Sequence, residues 1–186
     1  KELGIPMGIP YHAAEQFITQ NNVKVFSSNY ALYGDMSQRV MQVLSDNSPR
    51  IEIYSIDEAF LDLTGLSFTD VNSFARRLVK TVFYQTGIPV SIGVATTKIL
   101  AKIANRVVKK DKISGSALAL IHPKTIDATL SSLDVADIWG VGRSWSKQLY
   151  QAGIKTAAQL RDSDPKWAKR RFNLFAERIV RELRGE

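Results

Sequence analysis

In the stretch IEIYSIDEAFLDLTG, residues 51–65, two adjacent carboxylates, Asp57 and Glu58, stand between two apolar segments that each alternate like a β-strand. Neighbouring side chains of an extended strand point to opposite faces, so an Asp-Glu pair in mid-strand would leave one carboxylate in a core. The pair therefore belongs at a strand-to-strand turn, where both groups can project into one crevice. Two such carboxylates repel, and they stay ionised together only beside cations. Oxygen donors without nitrogen or sulfur partners suit a hard ion, which makes Mg2+ the expected cofactor. Taken alone, the dipeptide reads more simply as a solvated hairpin turn.

Composition narrows the chemistry further. The 186-residue chain has no cysteine and two histidines, His12 and His122, far apart in sequence. Disulfides and thiolate zinc sites are excluded, and a histidine metal cluster or a Ser-His triad is disfavoured. Lys and Arg number 25 against 18 Asp and Glu, a net charge of +7 that suits a nucleic-acid partner. No apolar run approaches the roughly 20 residues that span a bilayer, and no signal-peptide pattern opens the chain, so no membrane partner and a cytoplasmic setting are expected. The chain begins at Lys1 and stops at Glu186 within a charged helical pattern, which reads as a piece of something longer.

The elements that must position the carboxylates follow from periodicity. Residues 1–28, punctuated by Gly4, Pro6, Gly8 and Pro10, read as a loop-rich element with a helix over 13–20 and a strand over 23–26. Leu32, Tyr33, Met36, Val40, Val43 and Leu44 recur at helical spacing and predict an amphipathic helix over 29–44. Ile51 and Ile53, then Ala59, Leu61 and Leu63, predict a hairpin joined at 55–57. Thr69 or Asp70 can cap a second amphipathic helix carrying Val71, Phe74, Leu78 and Val82, which Gly87 and Pro89 stop. A strand over 90–95 and a helix over 97–109 follow. This order is that of a ferredoxin-like β-α-β-β-α-β unit lacking its first strand, within an α+β fold. That strand would lie inside the sheet, so its absence predicts a gap beside the hairpin. Beyond Gly115 one apolar segment, ALALIHP, precedes helical patterns that run from Thr125 onward.

Two further stretches could hold phosphate. Lys98, Lys102, Asn105 and Lys109 share one face of the predicted helix, opposite Ile99, Leu100, Ile103 and Val107. A solvated face is the plain reading, but beside the carboxylates a phosphate-binding stripe fits better, because lysine acts as a point charge that needs no base identity. In WGVGRSWSKQLYQAGIKTAAQL, residues 139–160, a Gly-x-Gly turn at Gly140 and Gly142 precedes a helix that begins near Arg143. This looks like a helix-hairpin-helix, whose backbone N–H groups can approach a phosphate; a tight helix-helix turn is the plainer alternative. Trp139 reads as a core residue, and Tyr30 and Tyr33 as packing under the sheet.

YSIDEAFLDLTG followed by SIGVATTKILAKIANRVVKK resembles the palm of a Y-family translesion DNA polymerase. With FSSNYALYGDMSQRVM, VADIWGVG and the closing VRELRGE, the resemblance covers all 186 residues and is to UmuC-type members, as in bacterial DNA polymerase V, more than to DNA polymerase IV. It implies partial fingers over 1–28, a palm over 29–116 and a small all-α thumb with the helix-hairpin-helix over 117–186. It implies that Asp57 binds metal, that Glu58 is the catalytic carboxylate nearest the primer 3′-hydroxyl, and that Ser55 lines the site. By the same resemblance Lys109 meets the triphosphate, Lys98 and Lys102 face DNA backbone or the polymerase's own mobile domain, and Gly140, Gly142 and Arg143 touch primer-template phosphates.

The implied activity is template-directed nucleotidyl transfer past DNA damage, by a two-Mg2+ mechanism, in DNA repair and SOS mutagenesis. The implied partners are primer-template DNA, dNTP, processed UmuD, a RecA filament and the sliding clamp. The family's bridging aspartate lies on the strand this chain lacks, and two divalent ions about 4 Å apart repel by roughly 17 kcal/mol at an effective dielectric of about 20. Asp57 and Glu58 alone are expected to hold at most one ion, weakly, and the 186 residues alone are expected to be inactive. The rival reading is a non-catalytic DNA-binding or assembly module. A nucleotide cyclase has a similar hairpin, but no duplex for a thumb to hold.

Overall fold

The computed structural model describes residues 3–66, 70–110 and 116–186. The chain divides into two compact units, Lys1–Gly34 and Asp35–Glu186.

In the first unit, Pro10 precedes helix α1 (Tyr11–Gln20), which buries only Ala14. The strand expected over 23–26 does not form: the segment is coil, with Val25 57% and Phe26 86% exposed. β-branched residues favour a strand only where a neighbour completes the ladder, and no described residue pairs with this segment. Helix α2 (Tyr30–Asp46) starts in this unit, where the Asn29 side chain accepts a hydrogen bond from the Leu32 N–H at 3.0 Å. Tyr30 and Tyr33, expected to pack under the sheet, are exposed. They meet edge to face, with centroids 6.5 Å apart, and stay exposed, because the buried stretch of α2 begins only later, at Val40.

In the second unit, α2 continues and buries Val40, Met41 and Val43. Strands β1 (Arg50–Ile53) and β2 (Ala59–Asp62) form the expected antiparallel hairpin, with Ile51 opposite Leu61 and Glu52 opposite Phe60. Strand alternation sends Leu61 into a core with Val40, Val43, Leu78 and Val82, and puts Glu52 and Phe60 on the other face. Helix α3 (Val71–Thr86) supplies Leu78 and Val82; Asp70 caps it by accepting from the Asn72 N–H at 2.9 Å, and Gly87, at φ 72°, ends it. Thr69, the other candidate cap, lies outside the described residues.

Strand β3 (Ile92–Ala95), helix α4 (Lys98–Lys110) and strand β4 (Ala117–Leu120) follow. β3 and β4 pair in parallel, which the crossover through α4 makes possible. The ALAL part of the ALALIHP segment is thus a strand, and its Ala119 N–H donates to the Asn72 side chain at 2.8 Å. β1-β2 and β3-β4 are separate two-stranded sheets. β3 lies so close to α4 that only glycine fits at position 93: an added Cβ would stand 2.3 Å from the Ala101 carbonyl oxygen.

The remainder is helical: α5 (Pro123–Ser132), a 3-10 turn (Val135–Asp137), α6 (Arg143–Gln151), α7 (Ala157–Asp162), α8 (Pro165–Arg171) and α9 (Leu174–Leu183). Their buried residues form one core with Ile99, Leu100 and Ile103 of α4. α4 is therefore the hinge of the architecture, packed on the β3-β4 sheet and on the helical bundle alike. Its N-terminus is tied to α9: Glu182 accepts from the Ile99 N–H at 2.9 Å, and the Thr97 hydroxyl donates to the Glu182 carbonyl at 2.8 Å.

Candidate functional site

The turn between β1 and β2 resolves where the adjacent carboxylates go. The Glu58 carbonyl accepts from the N–H groups of both Tyr54 and Ser55, each at 3.0 Å, which closes the hairpin and leaves 55–57 as its tip. Tyr54 and Glu58 thereby continue the face that carries Glu52 and Phe60. Asp57 sits at the exposed tip, where its carboxylate accepts from the Ser55 hydroxyl at 2.7 Å. The tip is also tied to α2, since the Ser37 hydroxyl donates to the Ile56 carbonyl at 2.5 Å.

α4 lays its lysines across that face. The Lys102 ammonium lies 2.6 Å from a Glu58 carboxylate oxygen, with side-chain exposures of 18% and 34%. One turn earlier, Lys98 pairs with Glu52 at 2.5 Å. Spacing of i, i+4 on the helix matches the two-residue spacing of Glu52 and the cross-strand partner of Tyr54, so both lysines find a hairpin carboxylate. Aromatic rings surround the pairs: Lys98 lies 5.0 Å from the Phe60 centroid, and Lys102 lies 5.4 Å from that of Tyr54 and 5.2 Å from that of Trp139. Trp139 packs against the helical core, as its sequence reading holds, and also against Tyr54 at 5.3 Å and Phe60 at 5.7 Å.

Lys109 is exposed, and among the described residues it has no ion pair. Arg106 and Lys110, on another side of α4, both reach Asp137, Lys110 at 3.5 Å. Gly140 adopts φ +92°, and a Cβ there would stand 2.6 Å from the Phe175 ring, so the turn is pressed onto α9. Gly142 is the N-cap of α6 and Arg143 its first residue; both are exposed. Behind this turn, Tyr150 donates to Asp134 at 2.5 Å, which holds the Asp134 carboxyl below its usual range and pushes the Tyr150 phenol up.

The structure thus brings together Ser55, Asp57, Glu58, Lys98 and Lys102 around one hairpin. Sequence reasoning missed Glu52, Tyr54, Phe60 and the second face of Trp139. The even-numbered run Glu52, Tyr54, Glu58, Phe60 was the available signal for the first three; for Trp139 there was none. It also passed over the basic end of α8, where Lys169, Arg170 and Arg171 are exposed.

As to metal, no group of three or more acidic or histidine side chains converges among the described residues. The donors present are all oxygens, from Asp57, Glu58 and Ser55, and the ammonium of Lys102 already stands at Glu58 as a cation. Two carboxylates and one hydroxyl match the oxygen-only chemistry of a hard divalent ion but supply few ligands, and Lys102 competes for one of the carboxylates.

Comparison with known proteins bears on this site. The impB/mucB/samB family pattern matches residues 1–106, which include the hairpin and most of α4. Protein UmuC of Salmonella typhimurium is 45% identical over 188 residues, covering 100% of this chain and 44% of UmuC. Protein MucB of Escherichia coli is 38% identical over 187 residues, covering 100% of this chain and 44% of MucB. The chain thus spans less than half the length of these relatives. Among solved structures, an insertion ternary complex of Dbh DNA polymerase superposes with a TM-score of 0.78 at 27% identity, over 98% of this chain and 52% of that one.

Proposed function

The chain belongs to the impB/mucB/samB family, and we propose from that premise that it forms the palm and thumb region of an error-prone translesion DNA polymerase. In this reading residues 1–28 belong to the fingers, 29–116 to a ferredoxin-like palm lacking one interior strand, and 117–186 to a thumb with a helix-hairpin-helix. The separation of β1-β2 from β3-β4 supports a palm with a gap where an interior strand would pair.

One observation carries the reading: a hairpin presents Asp57 at its tip and Glu58 beside a lysine-bearing helix, in a chain that aligns with UmuC along its whole length. Asp57 and Glu58 hold the metal, and Ser55 fixes the Asp57 carboxylate by its hydrogen bond. A divalent ion held there would supply charge stabilisation for nucleotidyl transfer. Lys109, exposed and without an ion pair among the described residues, meets the triphosphate. Lys98 and Lys102 lend the face positive charge, although both are compensated by hairpin acids before any DNA arrives. Gly140, Gly142 and Arg143 bring the N-terminus of α6 to the primer-template backbone. Processed UmuD, a RecA filament and the sliding clamp are the partners this kinship suggests.

The test is primer-template binding by the chain across a salt series, beside a Lys98→Ala, Lys102→Ala, Lys109→Ala variant. Each lysine in phosphate contact adds about 0.9 to the slope of log K against log salt, so the variant's slope is shallower. Equal slopes would remove α4 from the nucleic-acid surface. A DNA-binding module without chemistry is the second reading, and the Glu58-Lys102 pair favours it, because it satisfies the carboxylate without metal. Divalent-ion binding that is lost in Asp57→Asn or Glu58→Gln decides for chemistry.

A further inference from the structure

Lys102 occupies a place that phosphate binding does not explain. Its ammonium points at Glu58, 2.6 Å away, and sits over two aromatic faces, those of Tyr54 and Trp139. We propose that Lys102 is a positioning residue: a built-in counter-cation, caged by Tyr54 and Trp139, that holds the Glu58 carboxylate until a divalent ion displaces it. This rests on the metal reading of Asp57 and Glu58.

The geometry separates Lys102 from its neighbour. Lys98 is 45% exposed and pairs with Glu52, an acid outside the proposed metal set. Lys102 is 18% exposed and pairs with Glu58, which belongs to that set. A half-dehydrated ammonium needs compensation, and here a carboxylate and two ring faces provide it.

The cage is held from behind. Trp139 precedes Gly140, whose turn leaves no room for a Cβ against Phe175, and the indole packs on the helical core and edge-on to Tyr54 at 5.3 Å. The indole is thus fixed by the bundle while its face serves the hairpin. A divalent ion bound to Glu58 stands beside the Lys102 ammonium, which already engages one of the two carboxylate oxygens, and the like charges repel. Ion entry therefore weakens the hold of Lys102 on Glu58 and shifts its ammonium relative to the indole, so that Trp139 reports the exchange.

The experiment uses Mn2+ retention by electron paramagnetic resonance and Mg2+-dependent tryptophan emission, on the 186-residue chain and its Lys102→Met, Trp139→Phe and Glu58→Gln variants. Lys102→Met keeps the helical stem; Lys102→Gln serves if the methionine variant does not fold. Loss of one positive charge beside a divalent ion predicts Mn2+ retention about tenfold tighter in K102M. Mg2+ shifts the emission of the wild type, and the shift is absent from W139F and K102M. Equal Mn2+ retention in the wild type and K102M, with E58Q losing it, overturns the exchange and leaves the metal reading standing. Tighter retention in K102M without an emission shift in the wild type overturns the Trp139 cage. Retention by none of the proteins overturns both the exchange and the metal reading.

Discussion

Replacing Gly93 by alanine tests the placement of α4, and with it the whole lysine face. The added methyl group would stand 2.3 Å from the Ala101 carbonyl oxygen, 2.3 Å from the Asn105 nitrogen and 2.9 Å from the Asn105 Cα. All three are backbone atoms, so no side chain can swing aside. Ordinary contact needs about 3.5 Å, so β3 and α4 must part by about 1 Å, a gap that forfeits a quarter to a half of the dispersion between facing atoms. The facing residues Ile99, Leu100, Ile103 and Ala104 are each at most 1% exposed, so α4 cannot retreat without disturbing the bundle core on its far side. Overpacking of this kind costs about 3 kcal/mol, at the upper end of its usual range. For a chain of this length that lowers Tm by about 6–12 °C. Urea denaturation followed by far-UV circular dichroism should show a lower midpoint at an unchanged m-value. A strand glycine free of such contact would instead gain about 0.4–1 kcal/mol on becoming alanine. An unchanged or raised midpoint would therefore refute the β3-α4 contact and the alignment of Lys98 and Lys102 with the hairpin.

Three more outcomes follow from the same contacts. Glu182→Ala removes the carboxylate that accepts from the Ile99 N–H at the start of α4, and should cost about 1 kcal/mol in chemical denaturation, with Glu182→Gln recovering part of it. Gly140→Ala combines a φ of +92° with a methyl group 2.6 Å from the Phe175 ring; a loss of about 2 kcal/mol or more is expected, read as a lower thermal midpoint. Asp134 is held below the usual carboxylate range by the Tyr150 hydroxyl, so its contribution to stability is present above about pH 4 and is lost as pH falls through its lowered value. Tyr150→Phe should flatten the acid limb of the stability curve below about pH 4, and an unaltered limb would show that the bond does not form.

Local pattern made much of this fold legible. The hairpin, α3 with its Asp70 cap and Gly87 stop, and α4 each lie in one continuous stretch whose period states its own geometry. What the pattern could not carry is pairing across sequence. Val23 to Phe26 have strand-like residues but pair with no described residue, and Tyr30 and Tyr33 continue the helical stripe while remaining exposed. The parallel partnership of ALAL with β3 depends on the α4 crossover, which periodicity alone does not register. At the site, the turn that carries Asp57 could be derived from strand alternation, whereas Glu58 falls just past it on the strand face. That Lys102 would lean on Glu58 under the Trp139 face could not, because those three residues lie far apart in the chain and meet only through the packing of α4 between hairpin and bundle.

The central claim is that Asp57 and Glu58 serve templated nucleotidyl transfer. Its most direct test grafts these 186 residues onto the remainder of Salmonella typhimurium UmuC, which this chain matches over 44% of its length, and measures primer extension on a defined template. The account predicts Mg2+-dependent templated incorporation by the graft, reduced by about three orders of magnitude or more in Glu58→Gln, the range expected when a group acting only in the transition state is removed. Incorporation that survives Glu58→Gln and Asp57→Asn undiminished would contradict it.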